Sequence, residues 1–170
     1  PASGSELSDM LRFAVNECSG PVAVRYPKGE SDTAVYGGKI EYGKGCAVRK
    51  GTDVLIAAIG SEVREACLAA DILESRGVSA GVMNARFLKP FDSELFGEMA
   101  KNCKIVAAAE NNICIGGFCA AVQDAYGGSV LKFAFPDEPL RQATVSEQLR
   151  MGGIDGKTMA ETILKNLGRE

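Results

Sequence analysis

From residue 45 onward, short apolar runs alternate with amphipathic stretches, and this alternation restricts the fold more than any other feature of the chain. Val54-Leu55-Ile56-Ala57-Ala58-Ile59 and Ile105-Val106-Ala107-Ala108-Ala109 are continuous apolar runs of strand length, and Val78 to Met83 and Val130 to Phe135 are mostly apolar segments of the same length. Strands buried on both faces read this way. Between them, residues 62–75 place Val63, Ala66, Cys67, Ala70 and Leu73 on one helical face, with Gly77 ending the helix. A second helix runs from Asp92 to about residue 102 and carries Leu95, Phe96 and Met99. Another opens at Gly116 with Phe118, Val122 and Ala125, and the tail from Asp155 aligns Met159, Ile163 and Leu167. Strands and helices in this order build a sheet through right-handed crossovers. The prediction is an α/β fold: an open, mostly parallel five-stranded sheet with helices on both faces. Cys46–Arg49 forms its edge, where an antiparallel strand also fits.

The upstream residues follow a different pattern. Residues 3–17 predict a helix opened by a Ser3/Glu6 capping box, with Leu7, Met10, Leu11, Ala14 and Val15 on one face. Gly20-Pro21 ends it and Val22–Tyr26 reads as a short strand; residues 27–44, rich in Pro, Gly, Ser and Asp, read as surface linker. One helix and one strand do not make a domain. Their apolar face needs a partner on the main sheet or on another chain, so the chain is expected to be a fragment.

Composition excludes several function classes. At 170 residues, the chain can bury one full core with a partial extra piece. Its net charge is −3, with Lys and Arg scattered among acids, so no basic face for nucleic acid is expected. No apolar run reaches the ~20 residues that cross a bilayer, and no secretion signal opens the chain. The six cysteines contain no Cys-x-x-Cys pair, and there is no histidine to complete a mixed zinc site. They read as small buried hydrophobes in a reducing, cytoplasmic compartment. Without histidine, proton chemistry near neutral pH must come from carboxylates, lysine or a cofactor.

Candidate chemistry is confined to turns. In Asn84-Ala85-Arg86-Phe87-Leu88-Lys89-Pro90-Phe91-Asp92, Pro90 stops the strand and Asp92 can cap the next helix. Arg86 and Lys89 are expected to project from this corner, with an ion pair across it and a bracing role. Glu110-Asn111-Asn112 stands at the carboxyl end of a central strand, where open sheets place ligands, but stitching of the following loop is the preferred role. Gly60-Ser61 and Gly116-Gly117 precede helices and could hold an anion; tight turns and close helix packing are the simpler account. Lys28 leaves the Tyr26-Pro27-Lys28-Gly29 turn at an angle fixed by Pro27.

Four segments in register, Val24-Arg25-Tyr26-Pro27-Lys28-Gly29, Arg86 to Asp92, Glu110-Asn111-Asn112 with Gly116-Gly117, and Phe135-Pro136-Asp137 followed by Gly152 to Gly156, resemble the 1-deoxy-D-xylulose-5-phosphate synthases of the transketolase superfamily. The resemblance implies that residues 1–29 are the tail of a pyrimidine-binding domain, 30–44 a linker, and 45–170 a carboxyl-terminal transketolase-like domain. It implies a whole enzyme that condenses pyruvate with glyceraldehyde 3-phosphate, with loss of carbon dioxide, using thiamine diphosphate and Mg2+. The Gly-Asp-Gly…Asn segment, the activating glutamate and the histidines of that family are not found in this sequence. The segment is therefore expected to be catalytically silent, to bind no cofactor or metal itself, and to join the amino-terminal and pyrimidine-binding domains in a homodimer. The same resemblance places Lys28, with Arg25 beside it, at the phosphate of the substrate, where the family often has Arg. Lys supplies a point charge there rather than a bidentate fork. Alternatives are a subunit of a split transketolase, a 2-oxo acid dehydrogenase beta-type protein, or a stand-alone regulatory or scaffolding module.

Overall fold

Two helical layers enclose one sheet in the computed structural model, which describes residues 1–29 and 32–169. Residues 30 and 31 of the predicted linker and residue 170 lie outside that description. The chain runs α1 (Gly4–Glu17), β1 (Cys46–Arg49), β2 (Val54–Ala58), α2 (Glu62–Ser75), β3 (Ala80–Asn84) and α3 (Ser93–Ala100). It continues through β4 (Ile105–Ile113), α4 (Phe118–Tyr126), β5 (Val130–Phe135), α5 (Val145–Gly152) and α6 (Gly156–Asn166). The strand order is β1-β3-β2-β4-β5. Only β1 is antiparallel, against β3; the other three pairings are parallel. The fold class read from the sequence is the one observed, including the antiparallel edge.

The double burial of the strands follows their alternation. Val54, Ile56 and Ala58 of β2 face a core shared with Leu73, Met159 and Ile163 of α2 and α6. Leu55 and Ala57 face the opposite core, with Phe96 of α3 and Phe118 and Val122 of α4. No side of β2 meets water, which is why its sequence shows no polar alternation.

Two sequence expectations are corrected, and one element is added. Residues 22–26 form no strand; they are irregular, and all but Val24 are exposed. A strand requires a ladder partner, and none stands beside this segment among the described residues. β4 does not stop at Ala109 but continues to Ile113 after a register shift, because β5 resumes pairing at Ile113↔Phe135. Helix α5 was not anticipated. Its signal was legible: Thr144 and Glu147 form a full capping box. Among the described residues, no helix is long and apolar enough to cross a membrane.

Candidate functional site at the carboxyl ends of the central strands

β2 and β4 are neighbours, and the chain leaves β2 to build β3 on one side before returning to β4 on the other. Their carboxyl ends therefore enclose the topological switch point, the usual ligand crevice of an open sheet. Ser61 and Glu62 follow β2 there, and Glu110 and Asn111 belong to the end of β4.

Glu110 is buried, and its carboxylate accepts from the backbone N–H groups of Phe118 (2.9 Å) and Cys119 (2.7 Å) at the start of α4. The chain's own anion thus occupies the helix terminus that could have held a ligand's. A Cβ on Gly117 would run into that carboxylate, which accounts for the glycine by close approach. The stitching role expected of Glu110 is met, through helix amides rather than a local loop.

Asn111 reaches across the sheet instead. Its Nδ2 donates to Ser61 Oγ at 2.8 Å, and its Oδ1 and carbonyl oxygen accept from Arg25 Nη1 (2.6 Å) and Nη2 (3.2 Å). Ser61 Oγ in turn stands 3.5 Å from Glu62 Oε1. Arg25 and Lys28, the two residues singled out for substrate phosphate, are both exposed. Arg25 is tied to the switch point, whereas Lys28 lies on the outer turn.

Sequence reasoning missed Glu62. It is only 1% exposed, and its Oε2 has no hydrogen-bond partner among the described residues. Burial, and then the negative charge of Glu65, push its carboxyl up to about 8. The signal lay in the spacing, since position 62 shares the inward stripe of α2 with Ala66, Ala69, Ala70 and Leu73.

The corner after β3 also departs from expectation. Arg86 is buried at positive φ (58°), and its partner is Glu6, not a residue across the corner. Its Nε donates to Glu6 Oε1 at 2.8 Å, while Nη1 and Nη2 donate to the carbonyls of Lys39 (3.1 Å) and Gly38 (2.8 Å). Asn84 Nδ2 and Ala2 N also donate to the Glu6 carboxylate, at 2.9 and 2.6 Å. This cluster ties α1 and residues 38–39 to the end of β3. Asp92 caps α3 through Leu95 N and pairs with Lys44, and Lys89 is exposed. Two open grooves, of about 530 and 420 Å³, flank residues 38–45 away from Arg25 and Lys28.

Among the described residues, no group of three or more His, Cys, Asp or Glu is placed to hold a metal ion. Burial raises the thiols of Cys46, Cys67, Cys103 and Cys119, which disfavours the nucleophilic thiolate.

Residues 43–159 match the family described as "Transketolase, C-terminal domain". The chain belongs to that family. It is 34% identical over 175 residues to a 1-deoxy-D-xylulose-5-phosphate synthase of Chlorobium luteolum, covering 96% of this chain and 27% of the relative. A synthase of the same name from Thermosynechococcus vestitus is 36% identical over 181 residues, covering 99% and 28%. The chain thus spans about a quarter of the length of these curated relatives. Among solved structures it is similar to a split-gene transketolase described as an inactive beta4 tetramer. That likeness has a TM-score of 0.86 and 28% identity over 97% of this chain and 55% of the other. A Pichia stipitis transketolase shares the fold, with a TM-score of 0.61 at 20% identity over 80% of this chain and 20% of the other.

Proposed function

We propose that this segment is the carboxyl-terminal, structural part of a thiamine-diphosphate-dependent transferase of the 1-deoxy-D-xylulose-5-phosphate synthase kind. The complete protein would join pyruvate and glyceraldehyde 3-phosphate into 1-deoxy-D-xylulose 5-phosphate and release carbon dioxide. The supporting observation is agreement with the synthases over 96–99% of this chain, which takes in most of the residues upstream of 43. On this reading residues 1–29 close a pyrimidine-binding domain, 30–44 link, and 45–170 form the buttressing domain. Lys28 faces the substrate phosphate as a point charge, and Arg25 braces its turn.

The residues present do not fit thiamine diphosphate. The α4 terminus that could take a diphosphate already holds Glu110, and Glu62 is sealed from solvent. Coenzyme and Mg2+ therefore belong to the remainder of the protein, and no chemical step is assigned to this segment. A split arrangement, with the remainder on a second polypeptide, is the alternative favoured by the likeness to the split-gene transketolase.

Two measurements test the proposal. The complete protein, or the segment with its separately encoded partner, should release carbon dioxide from pyruvate only when glyceraldehyde 3-phosphate is present. The 170-residue chain alone should show no heat on titration with thiamine diphosphate and Mg2+; micromolar binding would refute a purely structural role.

A further inference from the structure

Residues 18–29 make no backbone hydrogen bond among those described. The two Arg25–Asn111 bonds are the side-chain hydrogen bonds that anchor this stretch within the described residues. Asn111 is itself fixed, since it sits in β4 and its Nδ2 is held by Ser61 Oγ at 2.8 Å. One amide thus reads three elements: the end of β4, the turn after β2 and the Arg25 arm. Lys28 lies three residues beyond Arg25, past Pro27, whose fixed φ transmits the orientation of the arm to the turn.

We propose that Asn111, backed by Ser61, is a positioning and specificity-determining residue: it holds the Arg25 arm so that the Lys28 turn presents its charge to a phosphorylated substrate. The inference rests on the function proposed above and extends it by assigning part of substrate selection to the carboxyl-terminal domain. A point charge discriminates poorly by itself, so selectivity for phosphate depends on where that charge is held.

The test uses Asn111→Ala, Asn111→Asp and Arg25→Ala. In the complete enzyme, Asn111→Ala should raise KM for glyceraldehyde 3-phosphate about tenfold, the size expected for loss of one good hydrogen bond. The values of kcat and KM for pyruvate should stay put, as should KM for unphosphorylated glyceraldehyde. Asn111→Asp keeps an acceptor for Arg25 and should restore most of the loss. Arg25→Ala, at an exposed position that cannot unfold the core, should reproduce the Asn111→Ala effect, and the double variant should add nothing. In the 170-residue chain, 15N relaxation should show lower order parameters for Tyr26, Lys28 and Gly29 in Asn111→Ala than in wild type. The same variant should weaken the shifts induced there by inorganic phosphate. Unchanged order parameters overturn the inference, as does a KM change shared by both aldehydes. A complete wild-type protein with no transferase activity refutes the proposed function instead, and the relaxation and phosphate titration still decide the role of Asn111.

Discussion

At the residue scale, Glu62 is the group most out of keeping with its surroundings. A carboxyl with an ordinary value near 4.5 that is pushed up to about 8 keeps its proton in the folded state over a range where the unfolded chain has lost it. The folded state then binds more protons than the unfolded one, so stability falls as pH rises from about 4.5 to about 8 and levels off above. At 1.36 kcal/mol per pH unit the loss is capped at about 5 kcal/mol. Glu62→Gln cannot ionise at this position, so its urea midpoint should fall less with pH across this range than that of wild type and exceed it at pH 8–9. Equal pH slopes for the two proteins would rule out an ionisable Glu62 as the cause. Arg86 is the opposite case, a buried charge fully compensated. Its guanidinium serves one carboxylate and two carbonyls at once, an arrangement that a Lys could not reproduce.

At the element scale, periodicity made most of the fold readable. Helix α2 was expected at 62–75 and lies at Glu62–Ser75; β5 was expected at 130–135 and lies at Val130–Phe135. Ser3, Asp92 and Asp155 each cap the helix that follows, as their side chains allow. The Ser3/Glu6 box is only half formed, because Glu6 turns its carboxylate to Ala2 N, Asn84 and Arg86. Local sequence could not show this, since two of the three competing donors lie 78 and 80 residues away. Packing between elements also separates two glycines that look alike in sequence. A Cβ on Gly156 would stand 2.7 Å from the Glu65 carbonyl and from Leu68 Cβ on α2, whereas one on Gly97 meets nothing within 4 Å. Gly156→Ala should therefore destabilise the protein by about 1–3 kcal/mol through overpacking. Gly97→Ala, inside α3, should stabilise it by about 0.5–1 kcal/mol through helix propensity. Urea unfolding of both variants checks the pair, and equal signs would contradict this packing of α6 on α2.

At the scale of the whole molecule, the upstream arm is only partly absorbed by the sheet. Met10 is buried and Leu7 half-buried, but Leu11 is 44% and Val15 82% exposed on the same helix. Tyr26 on the irregular arm is 56% exposed. Exposed apolar side chains on α1 and on the arm suit a surface that docks against another copy or another domain. The chain studied alone should self-associate at high concentration in sedimentation velocity, and Val15→Lys should weaken the association. A wild-type chain that stays monomeric throughout would show that this face is no docking surface.

The amino-acid sequence by itself determined the layered α/β plan, because apolar runs and helical stripes are properties of neighbouring residues and of the solvent they avoid. It also marked the turns where chemistry could sit. Only the tertiary structure decided which groups meet: Glu6 with Arg86 and Arg25 with Asn111, while Glu62 Oε2 finds no hydrogen-bond partner among the described residues. Those pairings join residues some eighty positions apart, brought together by the packing of α1 and the arm on the ends of β3 and β4, which no local pattern encodes.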